Sequence, residues 1–411
     1  MKEIVMEAKQ IAGGICAPQG FTAAGIHAGI RKNKDRKDLA MIKSSVPCTA
    51  AAVYTQNKVY GAPITVTRNN LKDHHAQAII CNSGNANTCL ANGVEIATEM
   101  CDLAARSLGL QREDIIVAST GVIGMPFDIQ PIADNIDQLA ASLSIDGAHA
   151  AATAIMTTDT VPKEIAVEFE IGGCQCRIGA IAKGSGMIHP NMATMLSFIT
   201  TDAAISPAML EQSLKEVVKD TYNMISVDGD TSTNDMVAIM ANGLSGNKEI
   251  TTTDTDYQTF TAALRQIATV MAKKIASDGE GATRLMECIV TGAPDQQTAR
   301  NIAKSVITSS LTKAAIFGAD ANWGRVLCAI GYTEGDFAVD RIAVSFSSAK
   351  GTIDVCRNGA GIDFSEEKAK EILLEDEIHI NIDMGLGSSS ATAWGCDLTY
   401  DYVKINGDYR T

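Results

Sequence analysis

One long β-hairpin pattern constrains the fold of this chain more than any other stretch. Over residues 164–182, apolar side chains alternate with other residues, and Gly172-Gly173 stands at the centre. Alternation with period two predicts two strands, and a Gly-Gly pair permits the tight turn between them. The next stretch, residues 183–197, reads KGSGMIHPNMATMLS. A polar segment rich in turn-forming residues therefore leaves the edge of a sheet and runs directly into an apolar strand.

Thr194 stands at the junction between this polar segment and the apolar strand. If the peptide bond before Thr194 is cut, its new α-amino group lies beside its own hydroxyl, so one residue carries both a nucleophile and a base. An α-amine titrates near neutrality, at roughly 7.7 to 8, which suits a base working at pH 7. The alternative is a structural threonine at a strand edge after a loop. The spacing alone leaves both interpretations open.

The composition is that of an ordinary globular protein with room for two or three domains. The chain has 411 residues, of which 46% are apolar and 20% charged. Its 34 basic and 48 acidic residues give a net charge of −14. Because no basic block offsets this charge, we expect no nucleic-acid partner. No apolar run approaches the length of a membrane span, and the N-terminus lacks the apolar core of a signal peptide, so we expect no membrane partner.

The cysteines and aspartates give no sign of a metal site. The 11 cysteines are scattered without a C-x-x-C pair, and only Cys174 and Cys176 lie close together. This pattern indicates packing thiols in a reducing cytoplasm, not a disulfide framework or a zinc site. Residues 228–235 read DGDTSTND, which lacks the closing glutamate of a calcium loop. We therefore expect no metal ion.

Helical and strand patterns are mixed along the whole chain. A clear hairpin within such a mixture favours α/β or α+β layers over a doubly wound parallel sheet. The periodicity predicts strands over residues 50–57, 76–81, 114–119, 285–290 and 391–405. It predicts helices over residues 129–143, 149–156 and 257–274.

Four further residues are candidates for a functional site. Thr120 and Gly121 follow a predicted strand, where a hydroxyl and a backbone amide can both donate to one oxygen, as an oxyanion hole requires. A plain turn is the alternative for this pair. Thr157 opens a hydroxyl-rich cluster after a predicted helix, for which helix capping is the alternative. Glu280 lies between two glycines, where a solvated turn residue is the alternative.

Several blocks carry a resemblance to a known family. The stretch Ala193-Thr194-Met195-Leu196 and the residues before it resemble the self-cleavage segment of the ornithine acetyltransferases, also called bifunctional glutamate N-acetyltransferases. Blocks at residues 277–284 (SDGEGATR) and 318–325 (GADANWGR) match the same family, and the resemblance runs from near Gly20 to Thr411. It implies an αββα-type sandwich related to self-processing aminopeptidases, with a catalytic domain over 1–285 and a smaller α/β domain over 286–411. It also implies cleavage between Ala193 and Thr194 into chains 1–193 and 194–411.

The resemblance further implies a reaction. N-acetylornithine gives its acetyl group to Thr194 and leaves as ornithine, and glutamate then accepts the acetyl group, a step of cyclic arginine biosynthesis. Thr120 and Gly121 are implied to hold the oxyanion. The residues implied to bind substrate are Thr157, Lys183, Thr194, Glu280, Asn406 and Thr411. No cofactor is implied, acetyl-CoA is left open as a second acetyl donor, and two copies of each chain are expected to assemble.

Two other functions fit the same residues. With water as the acceptor, the same nucleophile gives an amidase or aminopeptidase. An uncut chain without chemistry gives a binding or regulatory protein. Dependence on the acceptor separates the transferase from the hydrolase, and the intact mass of the purified protein separates both enzymes from the binding protein.

Overall fold

The computed structural model describes residues 8–189 and 195–408. The strands are β1 Lys9–Ile11, β2 Phe21–Ile26, β3 Leu39–Tyr54, β4 His75–Asn85, β5 Ile115–Val122, β6 Lys163–Ile171, β7 Cys174–Lys183, β8 Leu196–Thr201, β9 Ile225–Ser226, β10 Met236–Ala241, β11 Leu285–Ala293, β12 Ala343–Ser348, β13 Gly351–Arg357, β14 Ala360–Gly361, β15 Glu377–Asp383 and β16 Ser389–Cys396. The helices are α1 Ala62–Asn70, α2 Gly93–Leu108, α3 Gln130–Ala141, α4 Ala148–Ile155, α5 Pro207–Asp220, α6 Thr255–Ser277, α7 Gln296–Thr308, α8 Ser310–Phe317, α9 Trp323–Gly331, α10 Glu366–Leu373 and α11 Tyr400–Gly407.

The first sheet has nine strands, and its long strand β3 joins two halves. The strand order is β1-β6-β7-β8-β10-β3-β4-β5, with β2 also paired to β3. The beginning of β3 pairs with β2 and β4, whereas its end pairs with β10. Between Lys43 and Cys48 the register with β4 shifts, next to Pro47, which cannot donate a ladder hydrogen bond. Strand β3 therefore passes from one half of the sheet to the other.

The two halves pack face to face, and helices cover both outer surfaces. The shared inner core takes side chains from both halves: Ile42, Ile79, Ile116, Ile181, Phe198 and Ala238. Helices α5 and α6 lie on the outer surface of the half that contains β7, β8 and β10. Helices α2 and α3 cover the outer surface of the half that contains β4 and β5. The order of layers is helix, sheet, sheet, helix, so the predicted αββα sandwich is confirmed.

A smaller second sheet forms most of the C-terminal part. Its seven strands have the order β14-β13-β12-β15-β11-β16-β9 and mix parallel with antiparallel pairs. Helix α7 packs on β11 and β16 and buries Ile302 and Val306 against Cys288 and Val290. This part is the smaller α/β layer expected from the sequence.

The hairpin was predicted correctly, whereas the last predicted strand was wrong in its second half. Strands β6 and β7 are joined by Gly172 and Gly173, which have φ angles of 57° and 81°. Residues 391–405 do not form one strand, because β16 ends at Cys396 and helix α11 follows. The Thr399 side chain accepts a hydrogen bond from the backbone amide of Tyr402, so it caps this helix. The alternation of small and apolar residues indicated a continuous strand, so the sequence analysis did not recognise this cap.

Candidate active site

Strand β8 begins in the middle of the first sheet, between the end of β7 and the start of β10. Leu196 lies opposite Lys183 in the antiparallel pair and opposite Met236 in the parallel pair. The Met236 amide donates to the Met195 carbonyl over 2.9 Å. Ala193, Thr194 and Thr411 lie outside the described residues. The described residues on either side of 190–194 form the surroundings of this position.

Residues 187–189 are held in place by the loop that follows β9. The amides of Met187 and Ile188 donate to the Asp228 carboxylate over 2.7 and 2.9 Å. The Thr231 hydroxyl donates to the His189 carbonyl over 2.9 Å. The loop that follows β9 thus holds the polar segment through hydrogen bonds.

Lys183 is buried in a cluster with three further charged residues, Asp159, Lys163 and Asp278. Its side chain is enclosed at the end of β7, and this burial lowers its pKa, which the Asp159 carboxylate opposes. Lys163 lies between Asp159 and Asp278, with Nζ distances of 2.7 and 2.5 Å to their carboxylate oxygens. Burial alone would raise the pKa of the Asp159 carboxyl, but the ammonium groups of Lys183 and Lys163 outweigh it and hold that pKa well below its usual range.

Asp159 also fixes the predicted substrate residue Thr157. The Thr157 amide donates to the second oxygen of the Asp159 carboxylate over 2.9 Å. The Thr157 carbonyl accepts from the Arg36 guanidinium over 2.8 Å. Thr157 therefore lies at the Lys183 end of the sheet, with its backbone held on both sides.

Glu280 and Asn406, predicted separately, are in direct contact. The Asn406 side-chain amide donates to the Glu280 carboxylate over 2.7 Å, and the Glu280 amide donates to the Ser185 carbonyl over 3.1 Å. A Cβ atom on Gly186 would lie 2.3 Å from the Glu280 carboxyl carbon, so this glycine lets the turn approach the acid closely. The contact carries helix α11, which the sequence analysis missed, to the turn that follows Lys183.

Thr120 and Gly121 lie at the end of β5. Gly121 has a φ of 136°, and a Cβ atom on it would lie 2.3 Å from the Gly84 carbonyl carbon. Only glycine fits this backbone. Asn234 lies two residues before β10 begins, and its side-chain amide donates to the Ser119 carbonyl over 3.0 Å. Asn234 thus connects the strand end that carries Thr120 to the strand beside β8.

Sequence reasoning missed the buried charged residues that support the site. Asp159 and Asp278 lie inside stretches that it singled out, but only Thr157 and Glu280 were selected from those stretches. Asp235 was missed as well: it is buried, burial raises its pKa well above the usual range, and its Oδ2 has no hydrogen-bond partner among the described residues. The signal in the sequence that could have identified Asp235 is an acidic residue within a stretch of small and hydroxyl-bearing residues.

The remaining features of the described chain concern possible metal ligands and membrane-spanning helices. Across residues 8–189 and 195–408, one group of three possible metal ligands occurs, namely Glu287, Glu377 and His379 on the second sheet. Lys273 forms ion pairs with both glutamates, at 2.6 and 2.9 Å, so an ammonium group already lies between the two carboxylates and offsets part of their charge. In the same ranges, no helix is long and apolar enough to cross a membrane.

The fold and the buried residues define a mixed α/β protein, an αββα sandwich with a charged cluster at the centre of its first sheet. The chain belongs to the ArgJ family, whose model matches residues 22–411. It is 51% identical to the arginine biosynthesis bifunctional protein ArgJ of Symbiobacterium thermophilum over 403 residues, which cover 98% of this chain and 99% of that protein. It is 49% identical to the ArgJ protein of Caldanaerobacter subterraneus over 400 residues, which cover 97% of this chain and 99% of that protein.

Solved structures of the same family are similar to this chain. The crystal structure of the arginine biosynthesis bifunctional protein of Bacillus halodurans matches with 46% identity and a TM-score of 0.50, over 53% of this chain and 100% of that one. The ornithine acetyltransferase of Mycobacterium tuberculosis, solved with ornithine, matches with 32% identity and a TM-score of 0.41, over 46% of this chain and 100% of that one.

Proposed function

We propose that this chain transfers the acetyl group of N-acetylornithine to glutamate in arginine biosynthesis. The observation that carries the substrate class is the position of Lys183 and Glu280 on one turn, residues 184–186: Lys183 directly precedes it, and the Glu280 amide donates to its Ser185 carbonyl. An ammonium and a carboxylate held by the same turn complement the carboxylate and the amino group of an amino acid. Relatives at about half identity over nearly the whole chain are arginine biosynthesis bifunctional proteins, which supports the same reaction.

The nucleophile in this proposal is Thr194, set free by self-cleavage. Its hydroxyl attacks the Ala193 carbonyl to form an ester, and water hydrolyses the ester to leave the Ala193 carboxylate and the Thr194 α-amine. The size of the solved Bacillus halodurans chain supports this step. That chain is covered in full by 53% of this chain, which is the share that residues 194–411 make up.

Acetyl transfer then follows a ping-pong order. The Thr194 hydroxyl attacks the acetyl carbonyl of N-acetylornithine, its proton passes to the Thr194 α-amine, and the same amine protonates the departing ornithine nitrogen. The Thr120 hydroxyl and the Gly121 amide donate to the oxyanion. The glutamate amine next attacks the acetyl ester and restores the free hydroxyl. Both amino acids present an α-carboxylate, so they take turns in one pocket.

The remaining predicted residues bind substrate in this proposal. Lys183 pairs with the α-carboxylate, and Glu280 meets the amino group. Thr157, Asn406 and Thr411 complete the pocket. The contact between Asn406 and Glu280 supports this set, because it brings the C-terminal helix to the acid. Acetyl-CoA is proposed as a second donor, since the relatives are called bifunctional.

The proposal extends to the assembly of the protein, its domain limits and its location in the cytoplasm. Two copies of each fragment form the working enzyme, with 1–285 as the catalytic unit and 286–411 as the smaller unit. The first sheet lies wholly before residue 285, which supports that boundary. All eleven cysteines are free, as expected in the reducing cytoplasm.

The test combines the intact mass of the purified protein with an acceptor assay. We expect two associated fragments, the second beginning at Thr194, and release of ornithine from N-acetylornithine that depends on glutamate. Equal release in water alone would identify a hydrolase. A single uncut chain without activity would contradict the enzyme and favour a binding protein.

A further inference from the structure

A cluster of four charged residues is buried at the open end of the β6–β7 hairpin, where β6 begins and β7 ends. Three of these residues have no role in the proposed reaction. These are Lys163, Asp159 and Asp278, beside Lys183. With the lysines protonated and the carboxylates ionised, the cluster is neutral. Charges out of water are tolerated when they are paired and hydrogen-bonded in this way.

Asp159 connects this cluster to two parts of the substrate site. One of its oxygens accepts from the Gly184 amide over 2.7 Å as well as from Lys163, so it is bound to the residue directly after Lys183. Its other oxygen accepts from the Thr157 amide. A single carboxylate thus fixes the backbone at both residues.

Asp278 connects the cluster to a third part of the substrate site, the backbone at Glu280. Its carboxylate accepts from the amide and the hydroxyl of Thr160, and its backbone carbonyl accepts from the Ser185 hydroxyl over 2.7 Å. Asp278 also lies two residues before Glu280. Lys163 bridges the two aspartates, so the backbones at Thr157, Lys183 and Glu280 are held by one buried group of hydrogen bonds.

We propose that Asp159, fixed by Lys163, is a positioning residue that keeps Lys183 cationic and oriented for the carboxylate of the substrate. The inference rests on the proposed function, because that function assigns the substrate carboxylate to Lys183. Asp278 belongs to the same group of hydrogen bonds, but it serves the turn at Ser185 and not the charge on Lys183.

The charges that face Lys183 come from several elements. Asp159 and Asp235 favour its ammonium form, whereas Lys163 and Arg31 disfavour it. The Cys81 thiol on β4 also lies near, and burial raises its pKa to about 12, so it stays neutral. Burial raises the pKa of Asp235 as well, which weakens it as a countercharge. Asp159 is therefore the carboxylate that matters most for Lys183.

The experiment compares Asp159→Asn with Asp278→Asn. Each removes one carboxylate from Lys163, but only the first removes the countercharge of Lys183. Loss of that charge lowers the pKa of Lys183, so its ammonium form disappears at lower pH. In Asp159→Asn, the alkaline limb of kcat/KM for N-acetylornithine should move down by about one pH unit or more. In Asp278→Asn, the rate falls but the limb stays where the wild type has it.

The outcomes separate the inference from the proposed function. An alkaline limb that is unchanged in Asp159→Asn, or moved equally in both variants, overturns the positioning role. A wild type that releases no ornithine overturns the proposed function instead.

A second measurement needs neither activity nor a folded variant. The pH dependence with which an amine-reactive reagent labels Lys183 in the wild type, read by peptide mass spectrometry, reports its protonation directly. We expect slow labelling at pH 7 that rises only in alkaline solution. Labelling at pH 7 at the rate of a neutral amine contradicts the inference.

Discussion

Two parts of this molecule bury lysine side chains, fully or in part, and the groups that accept their hydrogen bonds differ. In the αββα sandwich, Lys163 and Lys183 lie with the carboxylates of Asp159 and Asp278. The partners carry opposite charge, so these lysines can remain cations although they are buried.

The helices over the second sheet use lysines in another way. Lys304 on α7 donates to the backbone carbonyls of Asn223 and Ile225 over 2.6 and 2.9 Å. Lys313 on α8 is buried and donates to the Cys396 carbonyl. These bonds tie helices to the strands β9 and β16.

The difference teaches what each part is for. A carbonyl oxygen satisfies a donor but brings no net charge, and burial lowers the pKa of Lys304 to about 7. A carboxylate preserves the cation for a ligand. We therefore expect Lys183, supported by Lys163, to serve substrate binding, whereas Lys304 and Lys313 of the second layer serve cohesion. The predictions below test this division, in order of decreasing effect on acetyl transfer.

The largest effect is expected from Thr194→Ala. It removes the hydroxyl that attacks both the Ala193 carbonyl and the acetyl donor, so cleavage and transfer should disappear together, as intact mass and ornithine release will show. The unfolding free energy should change by less than about 0.5 kcal/mol. Thr194→Ser is the matched control, since it keeps a hydroxyl and should still cut and turn over. A structural threonine would give the reverse: lower stability with unchanged chemistry.

Lys183→Met should lower kcat/KM for N-acetylornithine by on the order of 10³, because truncating one partner of a buried charge pair costs about 2 to 5 kcal/mol. Lys313→Met is its counterpart in the second layer. It should reduce the urea midpoint of unfolding and leave kcat/KM within about threefold, since it removes a buried hydrogen bond and no substrate contact. Equal losses of activity in Lys183→Met and Lys313→Met would contradict the distinction between a substrate-binding lysine in the sandwich and a structural lysine in the second layer.

Thr120→Ala should slow acetyl transfer by roughly 10² to 10³ in kcat, because one oxyanion donor is lost. Ser119→Ala is the matched control, because the buried Ser119 hydroxyl has no hydrogen-bond partner in the described part of the chain. Its kcat should stay at the wild-type value. If both variants turn over normally, the oxyanion is held by other donors.

Lys304→Met should leave acetyl transfer unchanged and alter only how stability depends on pH. The pKa of Lys304 falls from 10.5 to about 7 on folding, so the unfolded chain binds more protons between these values. Stability should therefore rise as pH increases above 7, and this rise should be lost in Lys304→Met. The difference between pH 7 and pH 9 is about 1 kcal/mol, because Lys304 stays partly exposed.

Denaturant unfolding at several pH values, in the uncut Thr194→Ala background, measures this difference on a single chain. A wild-type curve that is flat over this range, or that falls with pH in the same way for both proteins, would contradict the pKa shift.

Local patterns in the sequence predicted the elements that depend on local physics. The β6–β7 hairpin follows from period-two alternation around Gly172-Gly173, and α6 follows from its apolar stripe. Helix α11 was missed, because a single threonine cap decides against the strand. Thr120, Glu280 and Asn406 were selected through resemblance to a family. Their spacing alone did not distinguish a functional role from a purely structural one.

The charged cluster could not be predicted from spacing. Lys163 meets Asp159 four residues away but meets Asp278 at a separation of 115 residues. Only the fold brings these partners together, because β6 and the end of α6 converge on the same turn. A sequence shows which residues are charged, whereas their pairing depends on the topology of the sheet.

The most direct test of the account is the trapping of the acetyl intermediate. The wild-type protein is incubated with N-acetylornithine in the absence of glutamate, and the masses of its fragments are measured. The account predicts one acetyl group on the hydroxyl of Thr194, in the fragment that begins there, and its removal when glutamate is added. Acetyl groups on another residue, or none in an active preparation, would contradict the mechanism.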